Sequence, residues 1–255
     1  MLQITPRQME TLREWFVPDR PGPLAGLHVL QTGNGACFVD RWPAPRAVLV
    51  DAAGNYSLAG DPEALYRDDF KNRITGFVEA PERFAPLLQA TFPNMSVWER
   101  MIFELKVKPS FSISAEQHIR RLVPADAFHL WGLSPEINWI CHTWGGPAGL
   151  AASGYAWGAY LDDRLVSVAC TFHAGERYED IGVVTEKESR GLGLSVACAG
   201  KLCEDIQSRG RRPSWSTSPD NTASQRVAEK IGFSLQRRDI LYVIGTPIPE
   251  SARRQ

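Results

Sequence analysis

A polar, glycine-bearing segment, residues 186–193, carries the residue types best suited to binding an anion. Its last four residues, Arg190-Gly191-Leu192-Gly193, follow a strand-like run (EDIGVVT, Glu179–Thr185) and precede apolar residues at helical spacing. Glycines let the backbone adopt left-handed conformations and approach a ligand closely. The unpaired N–H groups at the start of a helix, together with the helix dipole, then favour a bound phosphate. We therefore predict a pyrophosphate-binding loop to which Lys187 and Arg190 add positive charge, although an ordinary glycine turn explains the glycines alone equally well.

Missing motifs argue against several other chemistries. The sequence has no GxxxxGK[ST] Walker loop and no GxGxxG motif followed by an acidic residue about 20 positions later. Its five cysteines and five histidines show neither CxxC nor HExxH spacing. We therefore expect no nucleoside-triphosphate loop, no dinucleotide-binding motif, no metal site and no disulfide framework.

The carboxyl-terminal half shows a regular alternation of strand and helix patterns. Two apolar runs joined by Asp162-Asp163 predict a β-hairpin, and the glycine-bearing segment leads into a helix with apolar residues four apart. Asn221 and Gly232 are suited to the start and end of a second helix. The predicted strands are 155–161, 164–172, 179–185, 213–217 and 235–245, and the predicted helices are 193–209 and 221–231. This order predicts a mixed α/β fold.

The amino-terminal part of the chain has a different texture. Residues 1–110 are rich in proline and glycine, and a connector, KPSFSISA, follows at 108–115. Short strand-like runs lie at 24–31, 36–41 and 46–51, and 81–92 has the spacing of a short helix. We therefore predict a companion lobe over residues 1–110 and a second domain over residues 111–255.

Two motifs of the carboxyl-terminal half resemble the GCN5-related N-acetyltransferase (GNAT) superfamily. They are VTxxxxRGLGLS at 184–195 and the N-x-x-S…E-K-I-G-F helix at 221–233, within a similarity that covers about residues 155–245. The resemblance implies a GNAT fold and acetyl-CoA or another acyl-CoA as co-substrate. It also implies that loop amides bind the coenzyme A pyrophosphate and that the second helix lies beside the pantetheine arm. The cofactor contacts implied by position are Val183, Val184, Thr185, Arg190, Gly191, Leu192, Gly193, Leu194, Ser195, Asn221 and Ser224.

The amino-terminal half resembles a narrower group. V-D-R-W-P at 39–43, followed by Arg46–Val50, is similar to the V-D-K-W-P stretch of the glycine N-acyltransferase family, and Trp144-Gly145-Gly146 is similar to its W-x-x-G-G. That family joins such a half to an acyltransferase domain. The resemblance implies that residues 1–110 form a degenerate, GNAT-like lobe and that residues 111–255 form the acyltransferase domain.

The same resemblance implies a catalytic role for Glu179, six residues before Thr185. Acyl transfer to an amine requires a base, because an alkylammonium ion with a pKa near 10 must lose a proton before it attacks. In an extended strand Glu179, Ile181 and Thr185 share one face, so we expect Glu179 to face the cofactor cleft and Asp180 to face away. Desolvation would raise the pKa of such a carboxylate into the range useful to a base. The alternative is a solvated glutamate at a strand end.

Several residues leave alternatives open. Many GNAT proteins carry a tyrosine just before the E-K-x-G-F stretch as proton donor to the departing thiolate, but here that position is Ala228. Tyr242, on the last predicted strand, could replace it. Some tryptophans could line the acyl or acceptor pocket, or could belong to the core or to an interface between the lobes. They are Trp131, Trp139, Trp144 and Trp215.

The charge and hydropathy of the chain argue against nucleic acid and membranes as binding partners. The chain has 255 residues and a net charge of −1, so no overall basic field draws it to nucleic acid or to an acidic membrane. No apolar run reaches the roughly 18 residues that span a bilayer, and the first 16 residues do not resemble a signal peptide, so we expect a cytoplasmic protein. We predict an acyl-CoA-dependent N-acyltransferase for a small amine or amino acid, with a homodimer allowed. A protein lysine or N-terminal acetyltransferase and a catalytically silent acyl-CoA-binding regulator are the alternatives.

Overall fold

A computed structural model describes residues 1–114 and 118–249, and its described strands form one twelve-stranded mixed sheet. The strands are β1 (Leu2–Ile4), β2 (Ala36–Val39), β3 (Ala47–Ala52), β4 (Asn55–Gly60), β5 (Gly76–Glu79), β6 (Ser96–Glu104), β7 (His118–Arg121), β8 (Ala156–Leu161), β9 (Arg164–Ala174), β10 (Tyr178–Thr185), β11 (Arg212–Thr217) and β12 (Ser234–Ile244). The helices are α1 (Pro6–Glu10), α2 (Ala25–Thr32), α3 (Arg67–Phe70), α4 (Ala85–Thr91), α5 (Ala127–Trp131), α6 (Pro147–Ser153), α7 (Leu194–Ser208) and α8 (Thr222–Ile231). None of the helices in these two ranges is long and apolar enough to cross a membrane.

The mixed α/β fold predicted from the carboxyl-terminal half is confirmed. β8 and β9 form the predicted hairpin, in which Asp162 and Asp163 adopt positive φ angles of 48° and 60°. Such a turn matches the twist of the two strands that it joins. Asn221 caps α8 by accepting a hydrogen bond from the Ser224 amide, and Gly232 ends the helix with a φ of 110°.

One element of the amino-terminal half differs from its prediction. The run at 24–31 forms helix α2 rather than a strand, and Gly33 ends the helix in the left-handed conformation. Ala25–Val29 are all buried, so the helix has no exposed polar stripe along this stretch. A short apolar run of this kind does not distinguish a buried helix from a buried strand.

In a strand exchange, the last strand of each half of the chain, β6 or β12, pairs with strands of the other half. The strand order is β1-β2-β3-β4-β5-β12-β6-β11-β10-β9-β8-β7. β6 lies between β12 and β11, whereas β12 lies between β5 and β6. Counted from either edge of the sheet, the fourth pair of strands is parallel (β4–β5 or β10–β11) and the other neighbouring pairs are antiparallel. The fold is therefore an internal structural repeat, for which no repeat is visible in the sequence.

Each parallel pair ends before its first strand does. β10 and β11 pair only over Tyr178–Ile181 and Arg212–Trp215, although β10 continues to Thr185. A shift of register in β9, which leaves Phe172 without a partner, occurs beside the point of divergence. We call the space between the diverging ends of these strands the carboxyl-terminal cleft.

The two faces of the sheet have separate cores in the carboxyl-terminal half. α7 and α8 cover one face, where Ile181, Trp215 and Ile206 are buried together. α5, α6 and the 3₁₀ segment Asn138–Trp144 cover the other face. Phe103 and Leu105 come from the first 110 residues, yet they belong to the core beneath α7. Part of this core is thus supplied by the amino-terminal half of the chain.

The strand exchange predicts that the two parts do not fold separately. Without residues 1–110, the fragment 111–255 loses β6, which leaves β11 and β12 without their common neighbour and removes Phe103 and Leu105 from the core. We expect each fragment alone to be insoluble or to lack a cooperative unfolding transition, and the two to recover one when they are co-expressed. Circular dichroism during urea unfolding measures this. A cooperative transition for fragment 111–255 alone would contradict it.

Candidate active site

The glycine-bearing loop lies at the open end of the carboxyl-terminal cleft and is exposed. Gly191 and Gly193 adopt left-handed φ angles of 82° and 77°. Gly193 occupies the N-cap position of α7 and has no side chain to bond the first helical amides. Arg190 and Leu192 are exposed, and a Cβ on Gly191 would meet no heavy atom within 4 Å. The backbone amides at the start of a 15-residue helix are thus accessible to an anion.

Most side chains next to this loop are packed against the protein, so the groups they leave for a ligand belong mainly to the backbone. Leu194 is buried in the core, so it can contribute only its backbone N–H. Val184 is buried in the core on the opposite face, whereas Val183 is partly exposed. The Thr185 hydroxyl lies 2.7 Å from that of Ser167. Beyond Ile181, the edge of β10 that faces away from β9 carries the backbone groups available to a ligand.

Asn221 and Ser224 are held by protein partners near the carboxyl end of β11. The Asn221 side chain accepts a hydrogen bond from the Ser224 amide at 3.1 Å, and the Ser224 hydroxyl accepts one from the Trp215 indole at 2.9 Å. Trp215 is 5% exposed and packs edge-on against Phe233. Trp215 is therefore a core residue, and the observed roles of Asn221 and Ser224 are to begin α8 and to position this indole.

Glu179 lies in an environment that does not suit a catalytic base. It shares a face with Ile181, as predicted, but α7 covers this face. Its carboxylate is fully buried and lies 2.8 Å from Arg209 and 3.2 Å from Arg211, and the Thr171 hydroxyl also donates to it. Arg209 follows the carboxyl end of α7, about 22 Å along the helix from the loop at its amino end. Glu179 thus forms a buried ion pair under α7, on the face of β10 opposite to that of Asp180.

Asp180 occupies the closed end of the cleft on the opposite face. The hydroxyls of Ser214 and Ser216 donate to its carboxylate at 3.0 Å and 3.1 Å. The side chain is 5% exposed, and its burial raises the pKa of Asp180 to about 6, against the opposing effects of these hydroxyls and of Arg100 and Arg237. A carboxylate with such a pKa is a stronger base than an ordinary aspartate and is still largely ionised at pH 7.

Polar groups without protein partners surround Asp180. His173 lies opposite Asp180 on β9 and is 3% exposed, and neither of its ring nitrogens has a partner within the described ranges. Burial lowers the pKa of His173 well below its usual value, so the ring is neutral. The Nε of Arg100 and one Nη of Arg237 are also buried without partners there. Hydrogen-bonding capacity left unused in this way is typical of a binding site.

An aromatic wall stands beside the point of divergence. A Cβ on Gly182 would lie 2.8 Å from the Ile140 side chain and 3.4 Å from the Trp139 ring, so glycine leaves room for these groups. Trp139 is 38% exposed and packs edge-on against Phe172. Trp131 is instead largely exposed on α5, and Trp144 is buried with its indole N–H donated to the Thr171 carbonyl. Of these three tryptophans, Trp139 adjoins the cleft.

Tyr242 does not replace the tyrosine absent at position 228. Ala228 is fully buried in the core beneath α7. Tyr242 is 3% exposed, pairs with Val78 of β5 and packs in the core of the amino-terminal half. It therefore lies outside the carboxyl-terminal cleft.

The buried ion pair makes Glu179 important for stability. Glu179→Gln removes the charge that neutralises Arg209 and Arg211, so we expect the free energy of unfolding to fall by roughly 2–4 kcal/mol. Urea unfolding measures this change, with Glu136→Gln on the exposed surface as the control. Equal stability of the two variants would show that the ion pair contributes nothing.

Comparisons with known proteins agree with this architecture. The sequence profile of the GNAT acetyltransferase family matches residues 25–242. An "uncharacterized N-acetyltransferase" of Streptomyces virginiae is 39% identical over 216 residues, which are 82% of this chain and 90% of that protein. A GCN5-related N-acetyltransferase-like protein from Streptococcus suis shares the fold with a TM-score of 0.71 at 19% identity, covering 93% of this chain and 98% of that one. A tandem GNAT protein from the clavulanic acid biosynthesis pathway does so with a TM-score of 0.60 at 12% identity, covering 97% and 99%. The chain therefore belongs to the GNAT acetyltransferase family and is an N-acyltransferase.

Proposed function

We propose that the protein transfers an acyl group, most simply acetyl, from coenzyme A to a small amine, with Asp180 rather than Glu179 as the general base. The observation that carries this proposal is the carboxyl-terminal cleft itself. It has an exposed glycine loop at its open end and a buried carboxylate of raised pKa at its closed end. In this proposal both features serve one space, which begins where β10 and β11 cease to pair after Ile181 and Trp215.

The loop suits the diphosphate of coenzyme A. The amides at the start of α7 offer several donors, and Lys187 and Arg190 lie exposed beside them. From Thr185 to Asp180 the strand measures about 17 Å at 3.3 Å per residue. An extended pantetheine arm bound along this edge therefore brings the thioester to the closed end, next to Asp180.

The chemistry follows from the environment of Asp180. Asp180 accepts a proton from the acceptor amine, directly or through a water molecule, and the neutral nitrogen attacks the thioester carbonyl. A C–N bond forms, the C–S bond breaks and the sulfur leaves as a thiolate, while the second proton that the nitrogen loses as it becomes an amide passes to this thiolate or to solvent. A thiol of this type has a pKa near that of cysteine, so the thiolate leaves without the tyrosine that Ala228 replaces. Backbone N–H groups on the free edge of β10 are the candidate donors to the oxyanion.

The surroundings of Asp180 favour a small acceptor over a protein chain. Asp180 is 5% exposed, and the segment 17–24 closes over this side of the sheet, where the Gly22 amide donates to Ser214 at 3.2 Å. Arg237 holds this segment by donating to the Pro21 carbonyl at 2.7 Å. Because Asp180 is covered in this way, we infer an amine with little substitution around its nitrogen.

A catalytically silent acyl-CoA-binding protein is the second candidate, because alanine stands where many relatives carry the tyrosine acid. An assay of thiol release from acetyl-CoA with a panel of small amines separates the two. Release that no amine accelerates, together with measurable binding of coenzyme A, would favour the silent protein.

Asp180→Asn tests the base. We expect kcat to fall roughly 10²- to 10⁴-fold, since proton removal is lost. In the unmodified protein kcat/KM should fall as the pH decreases through about 6, because the carboxylate must be ionised to accept a proton. The matched control, Glu179→Gln, should lose stability but keep kcat within a few-fold. A larger loss of kcat in the control than in Asp180→Asn would return the role to Glu179.

Arg190→Ala tests the loop. An exposed arginine beside a phosphate contributes modestly, so we expect the Kd for coenzyme A to rise roughly fivefold. Isothermal titration calorimetry measures this, with Arg7→Ala, an exposed arginine on α1 at the opposite edge of the sheet, as the control. Unchanged affinity in Arg190→Ala would remove this arginine from the phosphate site.

A further inference from the structure

The amino-terminal half contains a cleft of its own, of about 1140 Å³. β4 and β5 pair only over Asn55–Ser57 and Phe77–Glu79, and the cleft lies where they diverge. In the internal repeat this is the position that corresponds to the carboxyl-terminal cleft. We call it the amino-terminal cleft. The two clefts are separated by β5, β12, β6 and β11, which span about 14 Å at 4.8 Å between neighbouring strands.

The amino-terminal cleft is not built to hold a diphosphate. The residues that follow β4 are Asp61-Pro62-Glu63, in which the Asp61 carboxylate accepts from the Glu63 amide. The next helix, α3, has four residues and begins with Arg67-Asp68-Asp69. Two carboxylates therefore stand where the other half of the chain has an Arg-Gly-Leu-Gly loop; Arg46 pairs with Asp61, and the Glu63 carboxylate remains to disfavour a bound phosphate.

The walls of this cleft combine an apolar surface with an excess of acidic groups. Apolar and aromatic side chains form much of the lining, among them Trp15, Phe16, Leu58, Met95 and Ile240. Four carboxylates and two guanidinium groups also line it. The acidic residues are Glu79, Glu82, Glu99 and Asp239, and the basic residues are Arg20 and Arg238.

Glu79 lies at the closed end, where the pairing of β5 with β4 stops. Within the described residues its carboxylate forms a long ion pair with Arg20, in which the Arg20 Nη2 and Glu79 Oε1 atoms are 3.4 Å apart. The Arg20 side chain is 55% exposed. Arg20 also lies 3.8 Å from Asp239, so its charge is shared between two carboxylates. A carboxylate has about four lone-pair positions, and a contact of this kind leaves Glu79 able to accept further hydrogen bonds.

From this combination we propose that the amino-terminal cleft binds a protonated organic amine with an apolar body, and that Glu79 is its counter-ion. The apolar walls remove the hydrocarbon part from water, and the net negative lining favours a cation over a neutral or anionic molecule of the same shape. Binding here does not require acyl transfer, although the two sites are neighbours: residues of segment 17–24 line this cleft, the same segment closes over Asp180, and Arg237 is a neighbouring charge of both Glu79 and Asp180.

Calorimetry with 2-phenylethylamine as the probe, and 2-phenylethanol as its neutral analogue, tests the proposal on the full-length protein. We expect the amine to bind at least tenfold more tightly than the alcohol, and Glu79→Gln to remove this preference. Glu63→Gln, an exposed glutamate of the same half outside the cleft, is the matched control and should keep it. Equal binding of amine and alcohol, or no binding of the amine, would overturn the proposal.

Two further measurements locate the bound amine. Burial raises the pKa of Glu79 to about 7, with Arg20, Arg237 and Asp239 as the neighbouring charges and Arg100 beside the same small space. The amine stays protonated near neutral pH, so its affinity should increase between pH 6 and pH 8 as Glu79 ionises. Because Arg237 neighbours both carboxylates, Asp180→Asn should change the affinity far less than Glu79→Gln does. Loss of binding in Asp180→Asn, with no effect of Glu79→Gln, would place the amine in the carboxyl-terminal cleft and overturn the proposal.

Discussion

The antiparallel ladder between β6 and β12 is the constraint on which the rest of the structure depends. It runs from Ser96 to Glu104 on one strand and from Ser234 to Val243 on the other, and it joins the two halves of the sheet. The parallel pairing of β10 with β11 covers only four residues, too few to fix the position of β11 by itself. β11 is held on its other edge by four residues of β6, Met101–Glu104. One wall of the carboxyl-terminal cleft is thus fixed by a strand from the amino-terminal half.

The position of α7 gives two adjacent carboxylates different chemistry. Glu179 and Asp180 are neighbours on β10, and both are buried. Under α7, Glu179 meets two guanidinium groups, which balance the charge that burial would otherwise disfavour. On the other face the Ser214 and Ser216 hydroxyls donate to Asp180, and Arg100 and Arg237 act on it as neighbouring charges rather than as hydrogen-bond donors. Burial therefore raises the pKa of Asp180, and such a group can exchange protons near neutral pH.

Sequence reasoning located the elements of the carboxyl-terminal half because their signals are local. The hairpin at Asp162-Asp163, the helix that follows Gly193 and the cap at Asn221 each depend on a few adjacent residues. The strand exchange has no local signal, since β6 pairs with strands more than a hundred residues away. The different surroundings of Glu179 and Asp180 have no local signal either, because they depend on which face of β10 a helix covers. The arginines at 209 and 211, directly after that helix, were the available sign that Glu179 had partners.

The internal repeat explains why one scaffold supports two unlike clefts. Both arise where a parallel pair diverges, so the space itself follows from topology rather than from particular side chains. What each space can bind is decided by the residues that follow its first strand. In the carboxyl-terminal half, left-handed glycines lead into a 15-residue helix whose amides and dipole favour an anion. In the amino-terminal half, the same position holds an acidic turn and a four-residue helix, too short to develop a comparable dipole. The same divergence of strands therefore leads to an exposed helix amino terminus, suited to an anion, in one half and to an acidic, apolar cavity in the other.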